Sequence, residues 1–218
     1  MAAEQLRVEP ARALVGHIAV PDFATAAPFA VAATLLTGSD LTAHDVALDP
    51  SRARLLDVLG RMGARIALYN RRRAALPRAD LEVRSAELVA ATVARGETRE
   101  LLDDLALFGV AAGSAHGDSV VRGVGELGEE EREWVETVRI SLRALGIRAQ
   151  KRDDDLGVRG VPTRPKGGGM DPRGDPRLAV AGVVAGLVSR EGVVLQDANP
   201  ISVSFPGFFD LLESVTQR

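Results

Sequence analysis

Three stretches of the chain follow the same pattern of small apolar residues and short β-like runs. They begin at Thr25, Leu101 and Asp175, and each places an Ala- and Gly-rich apolar segment before a glycine-containing turn. A helix that is apolar on every side is buried, and small side chains allow it to pack closely on a neighbouring sheet. The pattern predicts three buried helices, at about residues 24–36, 100–115 and 176–189.

Two other segments show the spacing of amphipathic helices. Residues 51–62 and 129–145 place their aliphatic side chains on one face, and Gly63 and Gly146 follow the last turn. Glycine ends helices because it adopts the left-handed conformation easily. A last helix is predicted from about Pro206, and the Gly- and Pro-rich residues 160–175 are predicted to form a loop. Strands are predicted at residues 18–20, 40–48, 65–69, 80–84, 87–93, 119–124, 147–150, 156–159 and 193–196.

These elements repeat along the chain. The turn glycines Gly38, Gly117 and Gly192 recur at intervals of about 80 residues, which is longer than the period of solenoid repeats. Each unit has the order β-α-β-α-β-β, and the third unit is cut short. The sequence therefore predicts an α/β (α+β) protein that is built from copies of one motif.

The composition narrows the function classes. The 218 residues carry a formal net charge of −3, which gives no reason to expect nucleic acid as a partner. The chain has no cysteine and only three histidines without ligand-like spacing, so we expect neither a metal site nor a bound cofactor. No apolar run is long enough to cross a membrane, and no signal pattern is present, which favours a cytoplasmic protein.

Several segments resemble consecutive motifs of the EPSP synthases, or 3-phosphoshikimate 1-carboxyvinyltransferases. The resemblance covers nearly all of the chain from about Val8 to Val215, and it maps onto the C-terminal half of that family. In this chain, VPDFATAAPFAVAATLL resembles VPGDISSAAFFLVAALL of the family, and ALDPSRARLLDVLGRMGARI resembles LNPTRTGLLDVLREMGADI. ADLEVRSAEL resembles ADLRVRSSGL, and LLDDLALFGVAAGSAHG resembles LIDELPVLAVAAAFAEG. MDPRGDPRLAVA resembles VDSHGDHRIAMA.

The resemblance implies the enolpyruvyl transferase fold, an inside-out α/β barrel with two domains of three β-α-β-α-β-β units each. Residues 6–85 would form the last unit of the first domain, and residues 86–218 most of the second. The implied reaction moves the enolpyruvyl group of phosphoenolpyruvate to the 5-hydroxyl of shikimate 3-phosphate, in a cleft between the domains. The implied ligands are therefore anionic small molecules.

The resemblance also implies roles for individual residues. Asp103 aligns with the catalytic aspartate of the family and Glu131 with its glutamate, so both are candidate catalytic residues. Arg177 aligns with the arginine that binds phosphoenolpyruvate, and Arg52 with that of the NPTR motif. Read without the family, Asp103 is a helix-start acid and Arg52 a solvated helix arginine.

Asp22 and Thr25 are candidate substrate-binding residues, because they lie in the segment that holds phosphate in the family. The chain departs from the family around these positions. The lysine and the arginine of the family's Val-Lys-Glu-Ser-Asp-Arg segment are Glu130 and Trp134 here, a serine is Ala24, and the histidine of GDHR is Pro176. Two cations that would face phosphoenolpyruvate are thus replaced.

The N-terminal motifs of the family have no counterpart in this chain, so one wall of the cleft is missing. Three hypotheses follow: the chain is half of a transferase that needs a complementary N-terminal half, a non-catalytic binding or assembly module, or a half-size enzyme completed by homodimerisation.

If an anion site is retained, the sequence places it at Arg177, where a glycine-rich segment meets a helix start. Arg71, Arg72 and Arg73 are interpreted as a solvated turn, and residues 167–169 as a flexible loop.

Overall fold

The computed structural model describes residues 5–49, 53–73 and 75–218. The described chain contains three β-sheets and eight α-helices. The strands are β1 (Leu6–Val8), β2 (Ala13–Ala19), β3 (Asp40–Ala47), β4 (Arg65–Arg72), β5 (Arg78–Arg84), β6 (Thr92–Val93), β7 (Gly117–Val121), β8 (Arg148–Arg152), β9 (Asp155–Gly160), β10 (Gly168–Met170), β11 (Val193–Leu195) and β12 (Thr216–Gln217). The helices are α1 (Phe23–Leu35), α2 (Arg54–Arg61), α3 (Thr98–Leu101), α4 (Leu105–Gly113), α5 (Glu129–Ala144), α6 (Pro176–Val188), α7 (Asn199–Ser204) and α8 (Phe208–Val215).

The first two repeat units form sheets of the same topology. The first unit has the strand order β2-β3-β5-β4, and the second has the order β6-β7-β9-β8. In both units the first two strands are parallel, and the last two form an antiparallel hairpin that joins the second strand. The predicted β-α-β-α-β-β repeat is confirmed for these two units.

The third unit is completed by the other end of the chain. Its parallel strands β10 and β11 are joined by β1, which pairs antiparallel with β11 through Leu6 and Leu195. The last strand, β12, leaves this unit and pairs antiparallel with β2, where Thr216 is opposite Leu14. Both chain ends therefore connect the first unit with the third.

Three helices of small residues form the centre of the molecule. α1, α4 and α6 contact one another, and nearly every residue of each helix is buried. Their closeness to the surrounding elements depends on glycine: a Cβ on Gly109 would lie 2.4 Å from Cδ1 of Leu142 in α5. The three buried helices were predicted from the sequence, and the structure confirms all three with changed bounds.

The buried side chains on both sides of residue 85 belong to one hydrophobic cluster. This cluster joins Phe29 and Leu81 of the first unit with Phe108 of the second unit and Leu178 of the third. The domain boundary between residues 85 and 86 that the family resemblance implied stays a prediction. α1 of the first unit packs on α4 of the second unit and α6 of the third.

The helix predicted at residues 100–115 is broken into three parts. α3 ends at Leu101, a 3-10 turn covers Leu102–Asp104, and α4 begins at Leu105. The carbonyl of Leu102 accepts hydrogen bonds from the backbone N–H of Leu105 and from the indole N–H of Trp134. The indole belongs to a residue 32 positions further along the chain, so the local sequence does not reveal this contact.

Residues 160–175 were predicted to form a loop, and this is wrong for β10. Gly168 and Gly169 pair in parallel with Val193 and Val194. A Cβ on Gly168 would lie 2.3 Å from the carbonyl oxygen of Ala144, so this strand passes too close to another backbone for a side chain. A strand of this kind has no apolar alternation that could identify it from the sequence.

Two other expectations change in the structure. α7 was not predicted, and it precedes the helix that was expected from about residue 206. The arginine run at 71–73 was interpreted as a turn, but β4 extends to Arg72, whose guanidinium lies 2.7 Å from a carboxylate oxygen of Asp45. The proposed start of the second helix at residues 51–52 lies outside the described residues.

Gly160 provides a test of this packing. A Cβ at this position would lie 2.2 Å from the carbonyl oxygen of Ala115. We expect Gly160→Ala to lower the free energy of unfolding by about 1–3 kcal/mol, because backbone atoms must move apart. Gly60 of α2 is the matched control: an added Cβ would meet nothing within 4 Å. In urea denaturation, Gly60→Ala should be as stable as the parent or more stable by up to about 1 kcal/mol, because alanine favours a helix over glycine. Equal stability of Gly160→Ala and Gly60→Ala would contradict the close packing at Gly160.

Candidate functional site

The three central helices begin at the same end of the core. Their C-terminal ends, marked by Thr34, Ser114 and Val188, line one cavity of about 590 Å³. The N-terminal ends of the helices therefore lie on the opposite side of the core, and α4 and α6 are linked there by a direct ion pair between Asp103 and Arg177. The positive ends of the helix dipoles therefore face this side.

Arg177 lies in the first turn of α6, and three groups surround its guanidinium. Nη1 donates to Oδ1 of Asp103 at 2.8 Å. Nε and Nη2 donate to the two carboxylate oxygens of Asp175, at 3.1 and 2.7 Å. The ring of Trp134 lies against the face of the guanidinium, with Cζ 3.7 Å from the ring centroid. The structure thus brings together Asp103 and Arg177, two of the candidate residues, whose functional roles stay predictions.

Asp175 is the N-cap of α6, and its Oδ1 accepts a hydrogen bond from the backbone N–H of Arg177 at 2.8 Å. Burial raises the pKa of this carboxyl, but the hydrogen bonds from the side chain and the backbone of Arg177 outweigh it and lower the pKa overall. The same pairing, with Asp175 as the main partner, raises the pKa of Arg177. Two carboxylates therefore share one guanidinium, and the cluster has a net negative charge at neutral pH.

Asp103 is the exposed member of this cluster. Its side chain is 71% accessible, compared with 24% for Asp175. Asp103 lies in the 3-10 turn before α4, and its carboxylate points to Arg177 across the gap between the second and the third unit. An exposed acid beside a cation remains available for proton exchange with a ligand or with water.

Glu131 has a different role in the structure. Its Oε2 accepts a hydrogen bond from the backbone N–H of Gly128 at 2.8 Å, which caps α5, and it lies 3.4 Å from the guanidinium of Arg99. Within the described residues, no hydrogen bond or ion pair joins Glu131 to Asp103 or Arg177. Its catalytic role stays a prediction.

Asp22 and Thr25 form the capping box of α1. The backbone N–H and the hydroxyl of Thr25 each donate to Oδ1 of Asp22 at 2.9 Å. The hydroxyl that would hold a phosphate is thus engaged with its own helix cap, and a ligand would have to compete with Asp22 for it. Arg52, the fourth candidate substrate-binding residue, lies outside the described residues.

Two residues of this cluster were not among the sequence-predicted site residues. Trp134 was noted only as a departure from the family motif, and Asp175 only as the start of the third stretch of small residues. The Asp-Pro-Arg order at 175–177 is a signal that was available for Asp175, because an N-cap acid lies close to the side chain two positions later. Nothing in the local sequence places Trp134, 43 positions earlier in the chain, against Arg177.

Within residues 5–49, 53–73 and 75–218, the structure contains no helix that could span a membrane. No cluster of three or more His, Cys, Asp or Glu side chains there could hold a metal ion.

Comparison with known proteins supports the family resemblance over nearly the whole chain. The profile of EPSP synthase (3-phosphoshikimate 1-carboxyvinyltransferase) matches residues 1–212. The chain belongs to the EPSP synthase family.

Curated relatives extend well beyond this chain. The 3-phosphoshikimate 1-carboxyvinyltransferase of Syntrophomonas wolfei is 35% identical over 215 residues, which are 97% of this chain and 50% of the relative. That of Desulforudis audaxviator is 38% identical over 211 residues, 95% of this chain and 49% of the relative. The chain spans about half the length of the curated relatives that it matches.

Solved structures show the same fold. An EPSP synthase from Acinetobacter baumannii superimposes with a TM-score of 0.82 and 26% identity, over 90% of this chain and 46% of that structure. The enolpyruvyl transferase NikO from Streptomyces tendae superimposes with a TM-score of 0.67 at 19% identity, which concerns the fold alone. The predicted mixed α/β fold of the EPSP synthases is confirmed.

The lowered pKa of Asp175 predicts how this site responds to acid. The pKa of Asp175 is lower in the folded state than in the unfolded chain, where an aspartate has a pKa of about 3.9. Its charged form therefore stabilises the fold at pH values above about 3.9. This stabilisation is lost as the pH falls through the pKa of the folded state. Asp175→Asn keeps a good N-cap residue but removes the charge. We expect its thermal midpoint to be lower at pH 7 and to change less than that of the parent between about pH 4 and pH 2.

The matched control is Asp40→Asn, since Asp40 lies 3.7 Å from Arg84 and both side chains are more than half exposed. This variant should follow the parent protein through the same titration. Identical acid profiles for Asp175→Asn and the parent would show that the Asp175–Arg177 pair does not stabilise the fold.

Proposed function

We propose that this chain is one half of an EPSP synthase-type transferase and forms one wall of the cleft in which an enolpyruvyl group moves from phosphoenolpyruvate to shikimate 3-phosphate. The observation that carries the proposal is the 2.8 Å contact between Asp103 and Arg177 at the end of the core where the central helices begin. Membership of the family and the matching fold support it.

The chemistry of this end of the core suits an anionic substrate and a proton transfer. Helix N-termini and a guanidinium bind phosphate or carboxylate groups, and an exposed carboxylate can take or give a proton. Arg177 would bind the phosphoenolpyruvate, and Asp103 would be the acid or base of the transfer. Asp22 and Thr25, at the start of α1, would contact phosphate only after the capping hydroxyl turns outward.

The proposal includes a second wall, because the relatives are about twice as long as this chain. The lysine and arginine motifs that the resemblance places in the family's N-terminal half have no counterpart in this sequence. We infer that the three units described above make one domain, since they share one core and exchange strands at both chain ends. The complementary domain would then supply the missing cations.

Complementation tests this proposal. The chain should be co-expressed with the N-terminal half of the Syntrophomonas wolfei enzyme, and phosphate release from phosphoenolpyruvate and shikimate 3-phosphate measured. We expect the isolated chain to remain at background and the mixture to exceed it. Asp103→Asn should lower the rate of the mixture by about 10²–10⁴-fold, because a proton-transfer group is lost.

The control variant is Asp118→Asn, which removes an exposed acid that is paired with Arg152 in the second sheet. It should leave the rate unchanged. Transfer by the isolated chain would contradict the need for a second half, and a stable complex without transfer would favour a non-catalytic role.

A non-catalytic binding or assembly module is the second candidate, and a specific contact favours it. Arg177 is held by two carboxylates and by Trp134, so an incoming anion must displace at least one of its partners. Glu130 also stands where the family has a lysine, which further reduces the positive potential. The half-size enzyme completed by homodimerisation stays a prediction.

Inorganic phosphate can distinguish a retained anion site from a site that has lost its ligand. A ligand that binds only the folded state raises the thermal midpoint with its concentration. We expect a small rise for the parent, a larger rise for Asp103→Asn, which frees Nη1 of Arg177, and none for Arg177→Ala. A scaffold without an anion site would show no rise in any of the three proteins, and an equal rise in all three would place phosphate elsewhere.

A further inference from the structure

Trp134 contacts Arg177 and the residue before Asp103 through different parts of one side chain. The face of its indole lies against the guanidinium of Arg177, with Cζ 3.7 Å from the ring centroid. Its Nε1–H donates to the carbonyl oxygen of Leu102 at 2.8 Å, and Leu102 immediately precedes Asp103. The indole therefore joins α5 to the turn that carries Asp103 and to the first turn of α6.

We propose that Trp134 is the positioning residue of this site, which sets the place of Asp103 through Leu102 and the place of Arg177 through its ring. The catalytic part of this proposal rests on the proposed function, whereas the positioning itself does not. The rest of the indole is fixed, because Trp134 is partly buried and packs against the hydrophobic core.

The backbone shows the effect of the indole on the turn of Asp103. The carbonyl of Leu102 receives the indole N–H and the N–H of Leu105, three residues later, which is the hydrogen bond of a 3-10 turn. A regular helix through this point would rotate Asp103 away from its present direction, because 3-10 and α-helices differ in residues per turn. The indole N–H thus favours the turn that directs Asp103 toward Arg177.

The ring acts on Arg177 by a separate interaction. A guanidinium is attracted to the face of an indole, and this attraction does not use any of its N–H groups. The N–H groups of Arg177 therefore all remain available for Asp103, Asp175 or a ligand.

The family resemblance places an arginine at position 134, and a second guanidinium at this distance would repel Arg177. Trp134 replaces a cation that binds ligand with a surface that holds the remaining cation.

A double-mutant cycle on thermal stability tests the link between Trp134 and Arg177. Trp134→Ala should lower the thermal midpoint by about 1–4 °C more in the parent than in the Arg177→Ala background, because the ring can hold the guanidinium only where it is present. Trp134→Phe should retain most of this coupling. Ile140→Ala, which truncates an exposed residue of the same helix, should be additive with Arg177→Ala.

Additive effects of Trp134→Ala and Arg177→Ala would overturn the proposal, because simple loss of packing does not depend on Arg177.

Fluorescence gives an independent measurement, since Trp134 is the only tryptophan of the chain. Arg177→Ala and Arg177→Lys should both change its emission, whereas Asp118→Asn should not. If neither Arg177→Ala nor Arg177→Lys changes the emission, the contact between Trp134 and Arg177 is contradicted.

Activity separates the two parts of the proposal. In the complemented enzyme, Trp134→Ala should lower kcat more than it raises KM. Trp134→Phe should recover only the part of the activity that depends on the ring contact with Arg177, because phenylalanine has no N–H that could bind the carbonyl of Leu102. Failure of complementation would count against the proposed function, whereas the cycle and the fluorescence would still decide whether Trp134 positions the pair. A kcat unaffected by Trp134→Ala in an active complex would overturn the catalytic part.

Discussion

The close approach of three small-residue helices is the constraint on which the rest of the structure depends. α1, α4 and α6 contact one another at the centre of the core, and each is buried on nearly every side. Large side chains at these positions would separate the helices, and the sheets that surround them would lose their contacts. The surrounding elements approach just as closely, since a Cβ on Gly109 or Gly182 would lie within 2.6 Å of a leucine or methionine side chain of α5, β10 or β11.

This packing also determines where the site lies. Because the three helices run in the same direction, their positive ends collect on one side, and Asp103 and Arg177 meet there from different repeat units. Each repeat alone would present only a helix cap. The site therefore exists only after the second and third units have packed together, and its electrostatics depend on Asp175, which caps the helix that carries Arg177.

Charge balance decides what such a site can bind. Arg177 is a strong anion-binding group in isolation, but here its N–H groups already bind the carboxylates of Asp103 and Asp175. Asp103 is the more exposed of the two and makes a single hydrogen bond to the guanidinium, so it is the partner that a ligand would displace first. A second domain that brings further cations would change this balance in favour of an anionic substrate.

Much of this protein is determined by its sequence. The three buried helices, the hairpin between β8 and β9, the repeat of about 80 residues and the family itself could all be predicted from apolar spacing, glycine positions and motifs. These features depend on contacts between residues that are close in the chain, or on motifs that are read residue by residue. The motifs also marked Asp103 and Arg177 as candidate residues, whereas their pairing is seen only in the structure.

Tertiary structure decided the rest. β10 is a strand because Gly168 passes close to the backbone of Ala144, and the helix predicted at 100–115 is broken where Trp134 takes the carbonyl of Leu102. Residues of all three units share one hydrophobic cluster, and both chain ends cross to a different unit through β1 and β12. Each of these features depends on groups that are far apart in the chain. Local propensity cannot encode such contacts, since they form only when the three units close around their common helices.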